Sequence, residues 1–132
     1  MPERSSYANG VPSWVDLGSA DIDKSIAFYG GLFGWEHADT GAPEETGGYG
    51  MFMIDGKIVA GIGPLQNEEQ PPVWSTYIAV DDADAIVAKA TEAGGQVAMG
   101  VLDVMEAGRM AFLIDPDGAF VGIWQGRALR AR

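Results

Sequence analysis

MAFLIDPDGAFVGIWQ, residues 110–125, sets two apolar runs on either side of Asp115-Pro116-Asp117-Gly118. Proline presets φ and glycine accepts positive φ, so the stretch reads as a β-hairpin. Roughly sixty residues earlier the chain repeats itself: YGMFMIDGKIVAGIG, residues 49–63, turns at Asp55-Gly56. Gly48, Phe52, Ile54 and Asp55 recur as Gly108, Phe112, Ile114 and Asp115, and beyond a two-residue insertion Gly56 and Val59 recur as Gly118 and Val121. The chain is one unit written twice.

Working outward, the segment before each hairpin repeats too. Ser13–Leu17 alternates like a strand, and Asp21 then offers an N-cap carboxylate to a helix with Ile22, Ile26, Tyr29 and Phe33 at helical spacing, widened by Phe28 and Leu32 and closed by Gly34. Trp74–Val80 is the matching strand, Asp82 the matching cap, and Ile86, Ala90 and Ala93 the buried stripe of a helix ended by Gly94-Gly95. Asp21 and Asp23 match Asp82 and Asp84 at a constant offset of 61. Short strands over Trp35–Ala38 and Gln96–Val101 precede loops at residues 39–48 and 102–108, the first of them a Gly/Pro/Glu-rich candidate for movement. The expected fold is therefore α+β: two tandem β-α-β-β-β modules, residues 11–64 and 73–126, joined by a linker at 65–72, in one domain with a loose start (1–10) and an Arg-rich tail (127–132). Neither module has the apolar surface to stand alone.

Composition narrows the chemistry. Eight Lys and Arg against 19 Asp and Glu give a net charge of -11, which repels phosphate backbones and anionic lipid and suits a neutral or cationic small molecule. Without cysteine, disulfides, thiolate metal sites and a cysteine nucleophile are excluded. No apolar run reaches the ~18 residues of a membrane span and the first ten residues are polar, so a cytoplasmic protein with no nucleic-acid or membrane partner is expected.

The doubled plan, with AFYGGLFGW ending the first helix (residues 27–35) and IDPDGAFVGIWQ the last hairpin (residues 114–125), resembles the vicinal oxygen chelate superfamily of glyoxalases, bleomycin-resistance proteins and extradiol dioxygenases. The resemblance covers Val11 to Gln125 and implies a curved mixed sheet with a groove on one face and helices on the other. It also implies metal ligands on the first and last strand of each module. Those places hold Trp14, Ala60, Ser75 and Gly122, none of them a ligand, so a metal-free subgroup with no cofactor is expected. The residue count agrees, because a 2-His-1-carboxylate iron site needs two histidines and only His37 is present. His37, beside a Trp on a short strand, reads as structural, with a general-base role as the alternative.

Strand alternation then assigns faces. A four-residue loop at 115–118 pairs Ile114 with Ala119, which puts Arg109, Leu113, Phe120 and Trp124 on the groove side with Gly122, and Phe112 and Ile114 against the helices. The tight turn at Asp55-Gly56 pairs Met53 with Ile58 and Met51 with Ala60, adding Tyr49, Met51, Met53, Ile58 and Ile62 to the groove. Trp14 and Asp16, and likewise Ser75 and Tyr77, share that face. The expected ligand-binding set is Trp14, Asp16, Tyr49, Met51, Met53, Tyr77, Arg109, Phe120 and Trp124, a lining of rings and thioethers for a flat apolar guest, with Asp16 and Arg109 to orient it. Aromatic and Met residues at period two also suit plain sheet core.

Three functions fit. One is a metal-independent binding protein of the bleomycin-resistance type, holding an aromatic or hydrophobic natural product in antibiotic resistance or self-protection. Another is a glyoxalase-like enzyme of lyase, hydroxylase or oxygenase type, with no catalytic set legible in the sequence. The last is an accessory domain whose groove joins chains, and the resemblance implies a homodimer.

Overall fold

A computed structural model describes residues 7–41, 47–65, 69–104 and 107–126. The expected loose start, the tip of the 39–48 loop, the middle of the linker and the Arg-rich tail fall wholly or partly outside these residues. The element order is β1 (Pro12–Ser19), α1 (Ile22–Phe33), β2 (Glu36–Asp39), β3 (Gly50–Ile54), β4 (Lys57–Pro64), β5 (Val73–Ala79), α2 (Ala83–Glu92), β6 (Gln96–Val104), β7 (Gly108–Ile114) and β8 (Phe120–Gly126). The α+β class and the doubled β-α-β-β-β order are as the sequence predicts. Two compact units emerge, Val15–Ser75 and Met1–Trp14 with Thr76–Arg132.

In the Val15–Ser75 unit the strands run β2-β3-β4-β1, antiparallel except for the parallel pair of β1 and β4. The mixture follows from the chain path, because a helix between β1 and β2 lets β1 lie parallel to a strand met only later. Asp21 caps α1 by accepting from the Lys24 N–H at 3.1 Å, and Gly34, at φ 76°, closes it by donating to the Gly30 carbonyl at 2.9 Å. Ile22, Ile26 and Tyr29 pack on Leu17, Phe52, Ala60 and Ile62, of which Phe52 and Ile62 are fully buried. Burying a side chain of that size contributes roughly 1.5–3 kcal/mol. The stripe is narrower than the spacing predicts. Phe28, Leu32 and Phe33 are 59%, 58% and 50% exposed, since a sheet covers one side of a helix and these residues lie beyond its reach.

The other unit runs β5-β8-β7-β6, with β5 and β8 parallel. Asp82 caps α2 through the Ala85 N–H at 3.1 Å, and the Gln125 side-chain oxygen accepts from the Ala83 N–H, fixing the helix start to β8. Ile86, Val87 and Ala90 pack on Val80, Ala83, Ala111, Leu113 and Ile123. Ala93, expected in that stripe, is instead the exposed C-cap. Residues before β1 are tied down as well. Gly10 donates to the Ala79 carbonyl at 2.7 Å and Ala79 donates to that of Val11 at 2.8 Å.

Register overturns part of the face assignment. The last hairpin closes through Asp115 N–H to the Ala119 carbonyl at 2.8 Å, so the loop is one residue longer than predicted and Ile114 pairs with Phe120, Phe112 with Gly122 and Met110 with Trp124. A slip of one residue reverses every side chain of a strand. Arg109 and Leu113 therefore lie on the helix side, and Met110, Phe112 and Ile114 on the opposite side with Gly122. In the first hairpin Met53 does pair with Ile58, but a β-bulge between Phe52 and Met53 then sets Phe52 against Ala60 and Met51 against Gly61. Ala60 and Ile62, expected to line the groove, are core residues at 0% exposure.

Candidate functional site on the helix-free sheet faces

With the register corrected, the repeat has a single offset of 61. Asp16 pairs with Gly61 as Tyr77 pairs with Gly122, and Met51 pairs with Gly61 as Phe112 pairs with Gly122. Each unit thus centres its helix-free face on a glycine. The position equivalent to Gly122 is Gly61, not Ala60.

In the unit carrying Thr76–Arg132, Gly122 lies beneath two rings. A Cβ added there would stand 2.5 Å from Tyr77 Cδ2 and 3.1 Å from Phe112 Cε1, and the two rings meet at 5.3 Å between centroids, tilted by 54°. Tyr77 is buried, while Phe112 and Trp124 are part-exposed and Phe120 is 68% exposed. The Trp124 indole packs against Gly108, where an added Cβ would stand 2.9 Å from its Cζ2, and passes Gly126 at ordinary contact distance. Trp14 and Ser13 belong to the same unit, and the Ser13 hydroxyl reaches the Tyr77 carbonyl at 3.5 Å.

In the Val15–Ser75 unit, Leu17 and Ser19 point to α1, the latter 2.7 Å from the Ser25 hydroxyl, which leaves Asp16 on the opposite face. Tyr49 donates its hydroxyl to Asp16 Oδ2 at 3.0 Å, and its ring crosses Gly63 with Cδ1 at 3.0 Å from where a Cβ would sit. Met51 and Met53 alternate on the same face, opposite Phe52. His37 pairs with Phe52 on the helix side, and its ring fills the space a side chain at Gly50 would need.

Arg109 has a structural role. Its Nη1 donates to Asp84 Oδ2 on α2 at 2.7 Å and its Nε to Asp103 Oδ1 on β6 at 3.1 Å. The Asp84 hydrogen bond, with the charges of both carboxylates, raises the guanidinium pKa further above its ordinary value despite opposing desolvation. The hairpin turn is held by Asp115, whose carboxylate accepts from the Ala119 and Asp117 N–H groups, each at 2.9 Å, lowering its pKa in that order of cause.

A metal centre does not fit these residues. Trp14, Gly61, Ser75 and Gly122 supply no ligand of the usual kinds, Gly122 has no space for a larger side chain, and among the described residues no three His, Cys, Asp or Glu gather closely enough to hold an ion. Phe112 and Met110 are site-face residues the sequence reading missed. The constant offset of the helix caps, applied to the strands, identifies both.

Comparison with known proteins follows this architecture. The chain is 48% identical over 128 residues to "Putative glyoxylase CFP32" of Mycobacterium tuberculosis, matching 95% of this chain and 49% of that one. It is 41% identical over 133 residues to "Anthracycline biosynthesis protein DnrV" of Streptomyces peucetius, matching 90% and 48%. The chain spans about half the length of the curated relatives it matches. Among solved structures, methylmalonyl-CoA epimerase from Mycobacterium tuberculosis superposes with a TM-score of 0.63 at 17% identity over 96% of this chain and 97% of that one. The Mn(II)-bound glyoxalase from Novosphingobium aromaticivorans gives 0.59 at 22% identity over 91% and 40%. At those identities the likeness is one of fold. The family model of the Glyoxalase/Bleomycin resistance protein/Dioxygenase superfamily matches residues 12–123, nearly the whole described chain, and the protein belongs to that superfamily.

Proposed function

We propose that this protein binds a flat aromatic or hydrophobic natural product on its helix-free sheet faces, without a metal, as a trap or carrier of the bleomycin-resistance type. The observation that carries the reading is Gly122 under the Tyr77 and Phe112 rings, where relatives with metal would need a ligating side chain. On the same face Phe120 and Trp124 present further rings, and the Val15–Ser75 unit, taken by itself, carries Tyr49, Met51 and Met53 on the face that holds Asp16. Stacking on such rings contributes about 0.5–1.5 kcal/mol per pair beyond area burial. The name of the Streptomyces relative supports the ligand class, since anthracyclines are planar polycyclic aromatics. Titration of the protein with anthracyclines and other planar aromatics in the presence of EDTA, followed by Trp fluorescence and thermal shift, is expected to give saturable quenching and stabilisation. No response to any of these compounds in either assay sinks the reading.

The reading includes a second copy of this chain as partner, supported by the exposed Phe28, Leu32 and Phe33 on α1. Light scattering across a concentration series tests it, with a constant monomer mass as the contrary result.

A second reading, a glyoxalase-like enzyme on a small organic substrate, is favoured by one feature: a phenol hydrogen-bonded to a half-buried carboxylate, Tyr49 and Asp16, at 3.0 Å. Such a pair could move a proton. Its test is product formation, seen by mass spectrometry and abolished by Asp16→Asn with binding retained. No conversion of thioester or hemithioacetal substrates counts against it.

A further inference from the structure

The helix-free face of the unit carrying Thr76–Arg132 is built without charge. Tyr77, Gly122, Phe112 and Met99 form one row across its four strands. Trp124, Met110 and Leu102 form the row on one side of it, and Phe120, Ile114 and Gln96 the row on the other. Among the described residues no formal charge stands in these rows. Arg109 and Asp103 are paired on the helix side instead, where Asp84 shares the guanidinium. At the hairpin end Asp115 commits its carboxylate to the Asp117 and Ala119 N–H groups.

Alternate residues of a strand repeat at about 6.7 Å and strands lie about 4.8 Å apart, so the three rows make an apolar tile roughly 13 Å by 14 Å. That is room for three or four fused rings. Phe112, Met110 and Trp124 are part-exposed, and Leu102 and Phe120 are 49% and 68% exposed, so a guest can reach the tile. A charged group laid on it would lose water and gain no counter-ion. One donor interrupts the apolar set. The Trp124 indole N–H donates but cannot accept, and among the described residues it meets no acceptor. A carbonyl oxygen on the guest satisfies it without adding charge.

We propose that this face takes an uncharged fused-ring carbonyl compound, its rings against Phe112 and Met110 and its oxygen accepting from Trp124 Nε1. This rests on the binding function proposed above and adds to it the chemical class of the ligand and the residue that selects it.

The test titrates 2-acetyl-, 2-ethyl- and 2-(aminomethyl)anthracene and anthracene-2-carboxylate into the whole protein at pH 7, followed by fluorescence and calorimetry. Salt at about 0.5 M screens the net charge of -11, which otherwise draws the amine and repels the acid. The ketone should bind about tenfold tighter, or more, than either ion. Trp124→Phe keeps a ring and removes the donor. It should lower the ketone-to-ethyl affinity ratio by a factor of about two to ten, with the ethyl affinity nearly unchanged. Leu102→Lys, at an exposed position of the tile, should raise carboxylate affinity severalfold when both proteins are compared at low salt. Binding of either ion as tightly as the ketone by the unaltered protein, a ketone-to-ethyl ratio that survives Trp124→Phe, or no response to Leu102→Lys overturns this site and leaves the binding function standing. Failure of all four compounds to bind overturns the two together.

Discussion

Gly122→Ala should destabilise the protein through one contact. The added methyl would lie 2.5 Å from Tyr77 Cδ2 and 2.7 Å from Cε2, with Phe112 Cε1 at 3.1 Å. Carbon atoms attract best near 3.5–4.0 Å. The Tyr77 ring would therefore have to retreat by about 1 Å, and at 4% exposure it has little free space to retreat into. Overpacking of this kind costs about 1–3 kcal/mol, and the depth of the overlap favours the upper end. For a chain of this size that corresponds to roughly 6–12 °C in Tm. The diagnostic is a double-mutant cycle by urea denaturation. Tyr77→Ala alone should cost about 3–5 kcal/mol. In that background Gly122→Ala should cost less than about 1 kcal/mol, because only the Phe112 contact remains. A Gly122→Ala variant within about 0.5 kcal/mol of the parent, or an equal cost in both backgrounds, refutes the claim that the rings seal this position.

Arg109→Ala should leave aromatic-ligand affinity within about twofold and the urea midpoint nearly unchanged, since its partners are exposed carboxylates on the helix side; Trp124→Ala should weaken binding severalfold in the same titration. Asp115, with its lowered pKa, stabilises the fold above the unfolded carboxylate pKa of about 4 and loses that contribution as pH falls through its lower folded value. Urea midpoints from pH 2 to 7 should show Asp115→Asn flattening this acid limb, and an unchanged limb contradicts the assignment. Asp21→Ala and Asp82→Ala should each cost about 1 kcal/mol by loss of a helix cap, and the two costs should add in the double variant's melting curve.

The sequence makes the elements legible because caps and turns are local chemistry. Asp21 and Asp82 each cap a helix, Gly34 ends one in the left-handed conformation, and Asp115 to Gly118 lie within the last turn. Strand faces depend on register, which a single extra residue reverses. Aligning Phe52 with Phe112 matches identical letters, yet Phe52 is core against α1 and Phe112 lies over Gly122 on the other side. The structural counterpart of Phe52 is Leu113. A bulge in the first hairpin and a longer loop in the second shifted the apparent repeat by one residue either way, and neither leaves a composition signal. Tyr49, Met51, Met53, Tyr77, Phe120 and Trp124 share the faces of Gly61 and Gly122, whereas Arg109, whose position follows from the β7 register, lies on the helix side. Its partner Asp84 belongs to a different element, and a pairing of that kind appears only in three dimensions.

The central claim, an organic guest held without an ion, is most directly tested by native mass spectrometry of EDTA-stripped protein exposed together to Mn(II), Zn(II) and a planar aromatic compound. The account predicts a stoichiometric adduct of the organic mass, free of metal, that forms equally well when the ions are omitted. A retained metal ion, or an organic adduct that appears only when metal is supplied, contradicts it.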